Sequence, residues 1–399
     1  MNEQKGVFRL AIPMVLLLGL FGLVADAQET QQQVERLIKQ LQDQDPEDRA
    51  AAAITLGQIG KGTVDAMDAL IQALQDQNKD VRGSAVEALV EIGRGAVPAL
   101  IKALRHQNKD VRGSTVEALS KIGEDAVPAS IRALRDQNRL VFISVAEALG
   151  KIGTPKAIKA AESAIPALIQ ALRHQNKGVR GSAVEALVEI GASSVPALIQ
   201  ALQDEDSSVR SYVALALGEI GESTAYAVSA LIKLLQKDQD SGVRANAAIA
   251  LGSIGEGTVD TVDALIQALQ DQYESIRGAA AIALGSIGEG AVDAVPVLIQ
   301  ALQDQNKDVR YCTVEALGKI GEGAVPALIK ALQDQNQPVR IPAIEALAKI
   351  GTPEAIKAAV TALIQAMQDQ NEVVRIVAAL TLEKIGTPEA LEAIKKLDK

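Results

Sequence analysis

The chain has 399 residues, 48% of them apolar but only 2% aromatic, with no tryptophan and a single cysteine, Cys312. That composition predicts a core of Ala, Val, Leu and Ile, and one cysteine excludes an internal disulfide framework. A net charge of −10 with both signs well mixed makes the chain a poor partner for phosphate backbones, so no nucleic acid is expected.

In chain order, residues 1–27 differ from all that follows. Lys5 and Arg9 give a positive start, Leu10 to Val24 is an apolar run, and Ala25-Asp26-Ala27 fits a small-x-small cleavage site. This pattern predicts a secretory signal peptide, with a secreted or periplasmic mature protein from a bacterium. The alternative is an uncleaved N-terminal membrane anchor, for which the run is short. No later segment reads as long and apolar enough to cross a bilayer, so no membrane span is expected after cleavage.

Beyond residue 28 the chain repeats itself. Residues 79–93 read KDVRGSAVEALVEIG and residues 177–191 read KGVRGSAVEALVEIG. Arg49, Arg82, Arg112, Arg180, Arg210, Arg244, Arg277, Arg310, Arg340 and Arg375 share one local frame, and Phe142 fills it once without a guanidinium. The spacings of 33, 30, 30, 38, 30, 34, 33, 33, 30 and 35 define eleven copies with a base period of 30. Such an array grows as one body in which each copy packs on its neighbours.

Residues 96–123 show the unit. Pro98 opens a first helix, A, where its missing N–H costs nothing. Val97, Leu100, Ile101 and Leu104 follow at helical spacing. A polar turn, His106 to Asp110, leads to a second helix, B, for which Asp110 is a suitable N-cap. Helix B is expected to bury Val111, Thr115, Val116, Ala118, Leu119 and Ile122, and Gly123 to close it. The insertions fall between B and the next A, the longest at 154–170, where Thr154-Pro155 reads as N-cap and first helical residue. A last helix within 387–399, with Lys395, Lys396 and Lys399, is expected to cap the array.

A two-helix unit with Asp six residues before Arg resembles the HEAT repeat, and the 30-residue period with 149-LGKIGTPKA-157 resembles its phycobilisome-lyase type. The resemblance covers the mature chain and implies an all-α fold, a right-handed α-solenoid of about eleven pairs. It also implies a ladder of Asp and Arg tying adjacent turns. Its members here are Asp76, Arg82, Asp204, Arg210, Asp271, Arg277, Asp304 and Arg310, with Asp43, Asp136, Asp238, Asp334 and Asp369 in the same acidic column. His106 and His174 replace the Asp twice, and Phe142 the Arg once, so the ladder is expected to weaken there.

Chemistry is hard to find. The two histidines sit where other copies have Asp, which favours a turn role over general-base work. Ser84, Ser114 and Ser182 are repeat equivalents, so none is a special nucleophile. No His-x-x-x-His, Cys-x-x-Cys or His-Glu pair is present, so neither a metal nor any other cofactor is expected. Gly60-Lys61-Gly62 and Gly321-Glu322-Gly323 lack the phosphate-loop pattern. Enzymes of this repeat family offer the alternative reading. Deoxyhypusine hydroxylase holds iron through His-Glu motifs, but both histidines here precede Gln, at Gln107 and Gln175. Phycobilin lyases act in the cytoplasm, against the signal peptide.

A partner surface is the better prospect. Counted from the Arg of each B helix, positions +3, +4, +6, +7 and +10 are small or apolar and point one way, while +5 points oppositely. In arrays of this family that outer stripe lines the concave surface. Most copies carry Glu at +5, including Glu185 and Glu315, but Leu215, Ile249 and Ile282 occupy it in three successive copies. Gly218, Gly252 and Gly285 at +8 are expected to let these aliphatics stand clear. Tyr212, Tyr226, Tyr273 and Tyr311 fall nearby, Tyr311 within the stripe. The reading is a non-enzymatic scaffold binding a protein or peptide on this stripe, rather than a small molecule.

Overall fold

A computed structural model of the chain describes residues 30–59, 63–255, 257–334 and 337–397, and the segment read as a signal peptide lies outside them. Every regular element among the described residues is a helix. Contacts divide the chain into two compact units, at Ala164/Ile165.

The first unit opens with a helix over 30–40 and continues with B helices Pro46–Ile59, Lys79–Ile92, Lys109–Ile122 and Arg139–Ile152. The A helices Val64–Ala73, Val97–Ala103 and Val127–Ala133 alternate with them. In the second unit the B helices are Lys177–Ile190, Ser207–Ile220, Ser241–Ile254, Glu274–Ile287, Lys307–Ile320, Gln337–Ile350 and Glu372–Ile385. Each unit is thus an α-solenoid of helical pairs, and every B helix spans 14 residues. Within each unit, B helices of successive copies pack on one another more extensively than A helices do.

Local chemistry sets the ends of helix B. The N-cap is Asn108, whose side chain accepts from the Asp110 amide, so the cap expected at Asp110 belongs two residues earlier. Asn78, Asn138, Asn176, Asp206, Asp240, Asn306 and Asn371 do the same in their copies. Asp110 instead lies in the first turn, where its charge complements the helix N-terminus. At the other end sits a glycine with φ between 66° and 79° in ten copies. Its ψ decides the exit. At Gly153, Gly255 and Gly386 ψ is near 0°, and at Gly153 the chain runs straight into the extended cap Thr154. At Gly93, Gly123 and Gly191 ψ is near −135°, and a 3-10 turn leads directly into the next A helix.

These continuous exits correct one expectation. Lys177–Ala201 and Glu274–Ala301 are long and apolar enough, by length and composition, to cross a membrane. Each is a B helix joined to the next A helix, and Gly191 and Gly288 turn the chain between them. The long insertion also proves to be helix. Pro155–Glu162 packs on the B helix before it, burying Ala157 and Ala161, and Ile165–Ala171 opens the second unit.

The core is aliphatic throughout the described residues. In helix Lys109–Ile122 the buried set is Val111, Arg112, Thr115, Val116, Ala118 and Leu119. Ile122 is only half-buried, and the Arg112 stem joins the core, which apolar spacing alone does not foresee. One A helix breaks the pattern. Ser130 stands where Leu100, Leu168, Leu198 and Leu298 are fully buried, and its own buried hydroxyl has no partner. An unpaired buried hydroxyl costs about 1–3 kcal/mol. At the C-terminus, helix Pro388–Leu397 follows a Thr387 cap, with Ala390 buried and Lys395 exposed. Lys399 lies outside the described residues.

Candidate functional site

The Asp and Arg columns form a two-sided clamp. The Arg277 Nη1 donates to the main-chain oxygens of Asp271 and Gln272 in its own turn, at 2.9 and 3.2 Å. Its Nε and Nη2 donate to the Asp304 carboxylate of the next copy, at 2.6 and 2.8 Å. The six-residue spacing therefore serves the backbone contact, while the ion pair runs between copies. Arg49–Asp76 and Arg210–Asp238 repeat this bidentate geometry, and Arg244–Asp271 a looser form at 3.3 Å. Arg82 and Arg310 make the same main-chain contacts to Asp76 and Asp304. Hydrogen bonds from Arg277 hold the Asp304 carboxyl below its ordinary pKa, against the opposing effect of burial.

The departures are handled locally. The Nδ1 of His106 accepts from the Asn108 amide at 3.1 Å, as Asp76 accepts from Asn78 at 2.8 Å, and His174 does likewise for Asn176. Histidine thus keeps the turn-closing acceptor but supplies no carboxylate to the neighbouring copy. An extra arginine precedes each histidine, and these side chains reach forward to pair as Arg105–Asp136 and Arg173–Asp204. Displaced from Asp204, Arg180 leaves its buried Nε unpartnered and lies over the Tyr212 ring at 5.3 Å.

The solvent stripe of helix B is more graded than the sequence suggests. Ile282 is 45% and Tyr311 65% exposed, but Leu215 and Ile249 are half-buried, as are Glu185 and Glu315. The glycines at +8 have a different role from the one expected. A Cβ on Gly218 would lie 2.8 Å from the Ala250 Cα, on Gly252 2.5 Å from Ala283, and on Gly285 2.7 Å from Ala316. They bring successive B helices together backbone to backbone and do not clear space around the aliphatics. The tyrosines do not gather either. Tyr273 lies at the start of a B helix under Arg244, Tyr226 lies in a turn after a B helix, and Tyr212 is half-buried against Arg180. Glu315 pairs with Lys349 at 2.7 Å, and that contact, with a hydrogen bond from Tyr311, keeps its pKa low.

Two apolar surfaces escaped the sequence reading. In the last B helix Ile376 and Leu380, at +1 and +5, are exposed together with Val373. The +1 column, read beside +5, carries that signal. The other lies at the turns after helix B, where Tyr226, Val259 and Val292 are exposed. A shallow, open depression at the turn edge is lined by Gln272, Glu274, Arg277, Gln303, Asp304 and Asn306, so it borders a rung of the ladder. Among the described residues no group of three His, Cys, Asp or Glu could hold a metal ion. Burial pushes the half-buried Cys312 thiol above its ordinary pKa, which disfavours the reactive thiolate.

The profile of the HEAT repeats matches residues 34–96, 97–165, 165–252, 228–300, 262–322, 295–360 and 325–398. Among solved structures, one of Kap95p that concerns its binding to RanGDP is 16% identical, with a TM-score of 0.52, and covers 96% of this chain and 60% of its own. Importin beta is also 16% identical with a TM-score of 0.52, over 90% of this chain and 56% of its own. An engineered protein is 26% identical over 91% of this chain and 99% of its own, with a TM-score of 0.32. This chain thus spans little more than half the length of the importin-type proteins. None of the curated proteins compared matches it.

Proposed function

This chain belongs to the HEAT-repeat family, and on that footing we propose that it is an exported, non-enzymatic scaffold holding a protein or peptide against the solvent stripe of its B helices. The period of 30 and residues 149–157 support a likeness to the phycobilisome-lyase type. The observation that carries the reading is the exposure of Ile282 and Tyr311 along a stripe in which most copies carry glutamate at +5. Exposed aliphatic and tyrosine side chains beside charged ones are the makeup of an interaction hot spot. The likeness to Kap95p supports a fold able to hold a protein.

Changing Leu215, Ile249 and Ile282 together to Glu tests the stripe. Glu185 and Glu315 occupy the same half-buried place in other copies, so the fold should accept the change. Capture of a partner from a periplasmic fraction should fall sharply while cooperative melting is retained. Capture as strong as that of the unaltered protein would sink the proposal. Export rests on residues 5–27 and has its own test. N-terminal sequencing of the exported protein should begin at Gln28, whereas an intact Met1 in a membrane fraction would make the segment an anchor.

A further inference from the structure

Copies six to eight, with B helices Ser207–Ile220, Ser241–Ile254 and Glu274–Ile287, combine exposed apolar side chains with a lack of cations. The stretches 211–227, 245–261 and 278–294, each beginning after a ladder arginine and reaching or entering the next A helix, contain no lysine or arginine. Elsewhere position +9 is often cationic, as at Lys121, Lys151, Lys319, Lys349 and Lys384, but here it is Glu219, Ser253 and Ser286. The exposed charges of the three stretches include Glu219, Asp260, Glu289 and Asp293, all negative.

The same stretches carry the exposed Tyr226, Val259 and Val292. Tyr226 and Val292 lie in the seven-residue turns Gly221–Ala227 and Gly288–Ala294, longer than the four-residue turns Gly123–Ala126 and Gly191–Ser194, and Val259 opens the A helix of the copy between them. Among the described residues those shorter turns expose no large apolar side chain. The helix starting at Val259 packs on the turn holding Val292, and a Cβ on Gly257 would lie 3.2 Å from the Gly290 Cα, so adjacent turns form one edge. Ile282 exposes a further aliphatic on the B helix that runs into this edge. These stretches therefore expose aliphatic side chains and carboxylates and hold no lysine or arginine.

Resting on the scaffold reading, we propose that this edge docks a cationic amphipathic polypeptide segment. Its apolar side would cover Val259, Val292 and Ile282, and its lysines or arginines would meet Asp260, Asp293 and Glu289. An anionic or neutral segment would leave those carboxylates unpaired, so the charge pattern selects by sign. Each exposed pair contributes little, but carboxylates of one sign summed over three copies steer a cationic ligand, and salt weakens the effect.

The test uses the full mature chain and two fluorescein-labelled synthetic helices, one of Leu and Lys and its counterpart of Leu and Glu, followed by anisotropy. The Leu/Lys helix should bind, more weakly as salt rises, and the Leu/Glu helix should not. Asp260→Lys with Asp293→Lys, and separately Val259→Ser with Val292→Ser, should each weaken binding about tenfold or more. All four positions are exposed, so melting should not change. Glu87→Lys with Glu117→Lys, on exposed sites of the first unit, should leave binding as it was. Equal binding of both helices, or equal weakening by the Glu87 and Glu117 changes, would overturn the proposal in favour of unspecific attraction. If neither helix binds while partner capture still depends on Leu215, Ile249 and Ile282, the cationic class is wrong and the scaffold reading stands. Loss of both results removes both.

Discussion

Gly252→Ala should destabilise the second unit, although alanine is the better helix former. The new Cβ would lie 2.5 Å from the Ala283 Cα and 2.8 Å from its Cβ. Carbon atoms pack at about 3.5–4.0 Å, so the two B helices must separate. Overpacking of this kind costs about 1–3 kcal/mol, and occasionally more. The alanine returns only about 1 kcal/mol of helix propensity. Because the clash is with backbone, no side-chain rotation relieves it. Gly83→Ala is the matched control, since a Cβ there meets nothing within 4 Å. It should gain up to about 1 kcal/mol. Thermal melts of the two variants should move in opposite directions, and a rise in both would mean that the B helices are not held at this spacing.

Arg277→Ala should cost about 1–3 kcal/mol, the usual loss for a hydrogen bond to a charged partner left behind. The change removes two bonds to the Asp304 carboxylate and two to the turn of Asp271. Part of that loss should depend on pH. The Asp304 carboxyl has a lower pKa folded than unfolded. Its contribution is therefore present above the ordinary aspartate value of about 3.9 and lost as pH falls through the lower folded value. The gap between the unaltered protein and Arg277→Ala should accordingly narrow in acid below about pH 4. A gap that stays constant there would assign the loss to the Arg277 stem. The converse change, His106→Asp, offers Arg82 the carboxylate that other copies supply. It should be neutral or mildly stabilising, as expected for a partly exposed ion pair.

How far the molecule was legible in its sequence depends on whether the governing distance lies within a copy or between copies. The fold follows from features inside one unit: Pro98 at a helix start, Gly123 at a helix end, and the apolar spacing of Val111 to Leu119. The cap was misplaced because Asn108 and Asp110 both have the right chemistry two residues apart, and only backbone geometry selects one. The glycines at +8 were misread for the other reason. A small residue on a helix face looks like open space in one dimension, while Gly252 is small because Ala283 of another copy touches it. The ladder shows both cases. Asp271 and Arg277 were paired by spacing, yet the carboxylate that Arg277 holds belongs to Asp304. The candidate stripe was half visible, since Ile282 and Tyr311 stand out from the glutamates, but the half-burial of Leu215 and Ile249 is a three-dimensional property that the repeat pattern does not carry.

The central claim, that a polypeptide partner lies on the B-helix face, is tested most directly by site-specific photocrosslinking in the cell. A photoreactive residue replaces either Ile282, exposed on helix Glu274–Ile287, or Gln300, exposed on the following A helix Val295–Ala301. Both positions are on the surface of neighbouring helices, so expression and fold should match. A discrete crosslinked protein from position 282 and none from position 300 is the predicted result. Crosslinks from position 300 alone, or equally from both, would contradict it.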